Sequence, residues 1–169
     1  MTYAPALVAN AFLYRAKQTG RKLNHAHVQK LVFFLHAWSL TLDGQSLVSE
    51  RPEAWQYGPL FSSLYHRLKA YGRKTIDLLP KFHPETGQLR PLIPSRDDRR
   101  LWFLVDQVMD RYGRFTSSQL CALSHEPGGA WEETRDAKVT VMADEVIRRH
   151  FLKKIPDASI VHPSTSRTA

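Results

Sequence analysis

The sequence predicts a mainly α-helical protein, a single compact helical domain with a small β-hairpin or extended element near residues 46–58. Apolar residues recur at helical spacing through most of the chain, which is the pattern of amphipathic helices. The composition, 43% hydrophobic and 24% charged, is typical of folded globular proteins. At this length one core suffices, so we expect one domain at residues 1–155 and a polar, mobile tail at residues 156–169.

The first two helices are predicted at residues 4–18 and 25–41. Gly20 follows the first as a C-terminal stop, and Asn24 is a suitable N-cap for the second. The middle turns of the second helix are apolar on nearly every side. A helix of this kind is enclosed by others, so we expect it, together with Trp38, in the centre of the core.

The middle of the chain changes character. Residues 46–58 have too few periodic positions for a helix, which favours short extended pieces there. Pro59 is expected to open the next helix, because its missing N–H costs nothing in a first turn, and Gly72 is expected to end that helix. Several prolines and a glycine within residues 80–95 predict a loop or a frayed hairpin.

Capping signals mark the next two helices. Ser95 and Asp98 resemble a capping box, and the strongly periodic helix after them is expected to end at Gly113. Thr116 and Gln119 resemble a second capping box, which predicts a short helix.

The C-terminal part is predicted to hold two more helices. A short one begins near Trp131, and the last covers about residues 141–154 with Thr140 as its N-cap.

Positive charge is concentrated in the first part of the chain. The net charge is +8; residues 1–100 hold 15 Lys and Arg against 7 Asp and Glu, and residues 101–169 hold 9 of each. A basic half is compatible with an acidic partner, either nucleic acid or an acidic protein face, but a solvated basic surface is the more common explanation and the one we favour. The lone Cys121 excludes an internal disulfide, and the N-terminus lacks the pattern of a signal peptide, so we expect a cytoplasmic protein without membrane contact.

Metal and thiol chemistry have weak support in the sequence. His25 with His27, and Cys121 with His125, have the spacing of ligand pairs, but a structural zinc site needs four ligands and nothing brings the pairs together. Cys121 lies among apolar neighbours, a setting that favours a buried, inert thiol over a nucleophile. We predict neither a metal nor a cofactor.

Acid–base and phosphate-transfer chemistry are no better supported. The carboxylate pairs Asp97-Asp98 and Glu132-Glu133 lie in predicted first helical turns, where negative charge suits the helix dipole. Gly128-Gly129 lacks the Gly-Lys-Ser/Thr arrangement of a phosphate loop. We therefore expect no enzyme and assign no catalytic residues.

Nucleic-acid binding stays open as an alternative. Arg67, Lys69, Arg73 and Lys74 follow one another closely and could contact phosphates. No helix-turn-helix pair with an exposed recognition helix is recognisable, however.

Residues 28–76 contain a series of short motifs, in this order: Gln29-Lys30-Leu31, Trp38, Asp43-Gly44, Glu53-Ala54-Trp55, Tyr57-Gly58-Pro59, Leu64-Tyr65 and Tyr71-Gly72. In type and order these motifs resemble the Panacea domain, which is known from SocA-like antitoxins and from phage-associated, GepA-type proteins.

A second segment, Leu123 to Gly128 followed by Trp131, is similar to the family's "LSH…PW" region. Ser39, Leu60 and Ala130 depart mildly from the family pattern. The resemblance covers nearly the whole chain except the loop at 80–95 and the tail.

The resemblance implies an antitoxin that neutralises a cognate protein toxin by direct, non-catalytic binding. It leaves open whether the toxin is blocked or is handed to a cellular protease. Other candidates are a basic nucleic-acid-binding regulator and a phage or prophage accessory protein.

Candidate partner-binding residues combine aromatic anchors with a basic rim that would speed association. Trp55 and Tyr57 flank a bend and fit either core lids, which we favour, or exposed anchors, and we expect His125 to act first as a helix-end hydrogen-bonding residue. The full candidate set is Trp55, Gln56, Tyr57, Arg67, Lys69, His125 and Trp131.

Overall fold

The computed structural model describes residues 1–155, and the predicted tail at 156–169 lies outside the described residues. The prediction of a mainly α fold is confirmed. No helix within residues 1–155 is long and apolar enough to cross a membrane. The α-helices are α1 Pro5–Gln18, α2 His25–Asp43, α3 Ser62–Leu68, α4 Arg99–Tyr112, α5 Ser117–Ser124, α6 Ala130–Asp136 and α7 Asp144–Leu152.

Four short strands form two antiparallel hairpins. The first hairpin pairs β1 (Glu53–Trp55) with β2 (Gly58–Leu60), and the second hairpin pairs β3 (Pro80–His83) with β4 (Gln88–Pro91). The extended element predicted near 46–58 is therefore real but lies a few residues further along the chain. A 3₁₀ turn, Lys69–Tyr71, extends α3.

The central helix is α2, as predicted. It contacts α1, α4, α5 and α7, and its residues 28–37 are all buried. Asn24 caps it: the side chain accepts a hydrogen bond from the His27 N–H (3.1 Å), and the His27 ring completes a capping box. Phe34 stacks on Tyr112 of α4 with ring centroids 4.0 Å apart, so the core joins helices distant in sequence.

Trp38 is less buried than predicted. It lies at the edge of α2, where its indole N–H donates to the Tyr112 hydroxyl (3.0 Å). Its ring packs edge-on against Phe151 of α7, and the Arg111 guanidinium lies 5.0 Å from the ring centroid. A polar indole edge and a cation on the ring suit a half-buried position.

Two expected helix starts are wrong for one physical reason. Pro59 lies in β2 and not in a first helical turn; α3 begins at Ser62. The shared reason is pairing with β1. Pro59 lies opposite Ala54 in the first hairpin, and the Ala54 N–H donates to the Thr140 carbonyl (2.8 Å). Thr140 therefore bonds to β1 instead of capping a helix, the adjacent Val141 forms an antiparallel bridge with Glu53, and α7 begins only at Asp144.

Of the two predicted capping boxes, the one at α4 is replaced by a single N-cap residue and the one at α5 is present. Asp98, not Ser95, is the N-cap of α4, because its carboxylate accepts the Leu101 N–H (3.0 Å). The capping box of Thr116 and Gln119 on α5 is confirmed.

Candidate partner-binding site

The first hairpin lies at the surface with an exposed two-residue tip. Gln56 and Tyr57 form the turn between β1 and β2, and the Tyr57 side chain is 75% exposed. The strands behind the tip are largely buried, with Gly58, Pro59 and Leu60 all enclosed. The core-lid interpretation is therefore wrong for Tyr57, which is presented to the outside.

Two polar side chains of α2 bond the backbone of β2 and of the residue that follows it. The Gln29 amide donates to the Phe61 carbonyl (3.1 Å) and accepts the Phe61 N–H (3.0 Å). The adjacent Lys30 donates from Nζ to the Pro59 carbonyl (2.7 Å). Because Gln29 and Lys30 are buried, these bonds satisfy backbone groups that water does not reach.

Gly58 is the point of closest contact. Its φ of +103° lies in a region that side chains rarely adopt, and an added Cβ would lie 2.8 Å from Ser124 Oγ and 3.0 Å from Lys30 Nζ. The same Cβ would lie 3.3 Å from the His125 ring. Glycine is required here both by backbone conformation and by the packing of α2 and α5 against the hairpin.

The segment around α6 holds β1 from the other side. The Trp131 indole donates to the Trp55 carbonyl (2.8 Å), and the Arg135 guanidinium donates to the Ala54 carbonyl (3.0 Å). The Arg135 guanidinium also lies 5.1 Å from the centroid of the Trp131 ring. His125 is the C-cap residue of α5, where its backbone N–H donates to the Cys121 carbonyl (3.3 Å), and its ring centroid lies 5.2 Å from that of Trp131.

Trp55 has an intermediate position. Its side chain is half-buried, with the ring centroid 5.0 Å from that of Tyr65 and the indole N–H donating to the Glu53 carboxylate (2.6 Å). It therefore packs next to the tip and stays partly exposed.

The predicted residues do not all converge. Trp55, Gln56, Tyr57, His125 and Trp131 gather at the first hairpin. Arg67 and Lys69 are both exposed, and Arg67 instead donates to the Pro80 carbonyl (2.6 Å) at the start of the second hairpin.

Sequence reasoning did not identify Gln29, Lys30 and Arg135 as parts of this site. For Lys30 a signal was available, since a lysine inside a helix that is apolar on nearly every side must find a buried partner. Arg135 follows Trp131 by one helical turn, which places both side chains on the same face of α6.

A cleft of about 840 Å³ opens beside the hairpin, and Lys30, Tyr57 and Cys121 are among its lining residues. Lys30 is only 4% exposed, and burial lowers its pKa to about 8. Burial also lowers the pKa of His25 and of His125, which line the same cleft. The ammonium of Lys30 therefore remains mostly charged at neutral pH, whereas these imidazoles are mostly neutral there.

Two pairs of residues have the sequence spacing of metal ligands: His25 with His27, and Cys121 with His125. Three of these four residues lie around one cleft. His25, Cys121 and His125 line this cleft, whereas the His27 ring contacts Asn24 (2.9 Å). Cys121 is half-buried, not fully buried as expected, because one side of α5 faces the cleft. Within residues 1–155, no three His, Cys, Asp or Glu side chains are grouped so that they could hold a metal ion.

A serine, a histidine and an aspartate also meet elsewhere. The Ser46 hydroxyl lies 2.8 Å from His36 Nδ1, and His36 Nε2 lies 3.1 Å from an Asp144 carboxylate oxygen. Ser46 Oγ additionally bonds both the carbonyl (2.8 Å) and the N–H (2.9 Å) of Val48. The hydroxyl is thus fully engaged, and the contacts tie the loop after α2 to α7; the His36 contact also lowers the pKa of Asp144.

Comparisons with known proteins identify the family of this chain. The family described as "Antitoxin SocA-like, Panacea domain" matches residues 28–132, a range that contains the first hairpin together with Gln29, Lys30 and Trp131. The chain is also 29% identical over 150 residues to Antitoxin SocA of Caulobacter vibrioides (strain NA1000 / CB15N), covering 85% of this chain and 80% of that protein. No solved structure matches. The chain belongs to the family of SocA-like antitoxins that share the Panacea domain.

Proposed function

We propose that this protein is the antitoxin of a toxin–antitoxin system, and that it neutralises a cognate protein toxin in the cytoplasm by direct, non-catalytic binding. Family membership supports the antitoxin role. The observation that carries the binding mode is the first hairpin, whose exposed tip is held by side chains from α2, α5 and α6.

The tip has the properties of a binding anchor. Tyr57 offers a large amphipathic surface with few rotatable bonds, and tyrosine is enriched among residues that dominate binding energy. The hairpin behind it is fixed by buried hydrogen bonds, so little conformational entropy is lost when a partner binds. Gln56 adds an exposed amide at the same tip.

Non-catalytic action accords with the chemistry of the described residues. The serine of the Ser46–His36–Asp144 contact is saturated with hydrogen bonds. Lys30 donates to a backbone carbonyl.

The test is expression of the neighbouring reading frame with and without this chain. We expect growth arrest without it, rescue with it, and a single complex of the two purified proteins on size-exclusion chromatography. A non-toxic neighbouring frame, or rescue by a protein that forms no complex, would contradict the proposal.

Two routes of neutralisation are distinguished by toxin abundance. If binding blocks the toxin, its cellular amount stays constant during rescue; if the chain hands the toxin to a protease, the amount falls. The nucleic-acid alternative predicts sequence-selective duplex binding that persists at physiological salt, where non-specific phosphate contacts are weak.

A further inference from the structure

The cleft beside the first hairpin is an open groove with the volume of a ligand site. Its volume of about 840 Å³ falls within the range of pockets that accept small molecules or short peptide segments. Its walls come from the start of α2, the start of α5, the first hairpin and the turn at Gly72-Arg73.

The charged residues that line the cleft are cations. They are Lys30 and Arg73, and none of the lining residues is Asp or Glu. His25 and His125 also line the cleft as mostly neutral imidazoles, because burial lowers the pKa of each. The capped N-termini of α2 and α5 both contribute to the lining, and helix N-termini carry partial positive charge. These features add up to a surface complementary to negative charge.

Lys30 is the buried cation of the cleft. It is 4% exposed, yet it lines the cleft, and its ammonium donates one hydrogen bond to the Pro59 carbonyl. An ammonium has three donors, and a buried one is stabilised by a carboxylate that completes its shell. Arg73 is exposed at the rim and offers a second cation.

We propose that this cleft docks an acidic peptide segment of a partner protein, with an Asp or Glu carboxylate paired to Lys30 and a second acidic group met by Arg73. The proposal rests on the proposed function for the partner's identity, since the segment would belong to the toxin. Tyr57, Leu60 and Tyr65 supply apolar walls for the rest of the segment.

The composition of the lining favours a peptide over nucleic acid. A nucleic-acid strand is bound by several exposed cations that follow its phosphates. Of the Lys and Arg residues that line this cleft, Lys30 is buried and Arg73 is exposed, which suits one or two carboxylates and not a phosphate chain.

The full chain can be tested with a fluorescein-labelled hexaglutamate peptide, with hexaglutamine and a single-stranded oligonucleotide as comparators. Binding is measured by fluorescence anisotropy. Cys121, the single cysteine, lines the cleft and reports on occupancy through its rate of alkylation. We expect hexaglutamate to bind and to slow alkylation of Cys121, and hexaglutamine to do neither.

Arg73→Glu and Lys74→Glu form a matched pair. Both residues are exposed and adjacent, and both changes reverse one charge, but Lys74 does not line the cleft. We expect Arg73→Glu to weaken hexaglutamate binding at least about tenfold and Lys74→Glu by less than about threefold, since exposed charges outside a contact interact weakly. Equal weakening by the two variants, or binding without protection of Cys121, overturns the proposal.

Lys30→Met removes the central cation, and we expect it to abolish hexaglutamate binding. If this variant fails to fold, the comparison of Arg73→Glu with Lys74→Glu and the alkylation rate of Cys121 still test whether the peptide binds in the cleft. Preferred binding of the oligonucleotide contradicts the peptide assignment. If the chain captures the toxin but does not bind hexaglutamate, the proposal that the cleft docks an acidic peptide is wrong and the proposed antitoxin function stands. If it binds hexaglutamate but does not capture the toxin, the proposed antitoxin function is wrong and the peptide-binding cleft stands.

Discussion

The first hairpin, Glu53–Leu60, and the second hairpin, Pro80–Pro91, are both two-stranded antiparallel pairs, but the protein supports them differently. Side chains from α2 and α6 bond the strands of the first hairpin directly. The second is held mainly at its base, where the buried Asn10 bonds the Leu79 backbone and the Leu92 carbonyl, and all of β4 is exposed. Equal topology therefore does not imply equal support: side-chain bonds from neighbouring helices fix the strands of the first hairpin, whereas β4 of the second is exposed.

The glycines of the two hairpins give the largest contrast. Gly58 and Gly87 both have positive φ, +103° and +64°, but nothing lies within 4 Å of a Cβ at Gly87. We expect Gly58→Ala to lower the free energy of unfolding by about 3 kcal/mol, since strain and overlap with Ser124 add up. Gly87→Ala should cost only about 1 kcal/mol. Urea unfolding of both variants measures this, and equal costs would remove the distinction between the hairpins.

The next contrast is between the buried amide side chains that bond the backbone at each hairpin, Gln29 at the first and Asn10 at the second. Gln29→Ala leaves the Phe61 N–H and carbonyl unpaired, and Asn10→Ala does the same at Leu79. Because buried unpaired groups are costly, each change should lower the free energy of unfolding by about 2–3 kcal/mol. At a temperature where both variants are folded, only Gln29→Ala should weaken toxin binding. Equal loss of binding in both variants would contradict a special role for the first hairpin.

The buried ammonium predicts a pH dependence. The pKa of Lys30 is lowered by burial to about 8 from 10.5, so between these values the unfolded chain binds more protons than the folded one. The free energy of unfolding should therefore rise with pH above pH 8, by about 2 kcal/mol up to about pH 9.5, relative to Lys30→Met. Urea titrations at several pH values test this; parallel curves for the two proteins would show that Lys30 is not desolvated as described.

Local rules predict part of this fold from sequence. The Asn24 cap, the enclosed α2 and the Thr116–Gln119 capping box depend on neighbouring residues, and all three are observed. The expected helix starts at Pro59 and Thr140 are wrong because both segments pair with β1, a contact between residues far apart in the chain.

The candidate site was predicted only in outline. Trp55, Tyr57, His125 and Trp131 come from the family resemblance, and they do gather at one hairpin. Their positions depend on tertiary contacts: Tyr57 is exposed next to a strand that Lys30 bonds at the Pro59 carbonyl, a contact between residues far apart in the chain that no local pattern shows.

The most direct test compares Tyr57→Ala with Leu89→Ala. Tyr57 is 75% exposed at the tip of the first hairpin, and Leu89 is 67% exposed in the second. Both changes should alter the free energy of unfolding by less than about 0.5 kcal/mol, because neither side chain is buried. Titration calorimetry with the toxin should then show a loss of at least about 2 kcal/mol of binding free energy for Tyr57→Ala and none for Leu89→Ala. Unchanged toxin affinity in a folded Tyr57→Ala protein would contradict the assignment of the first hairpin as the binding site.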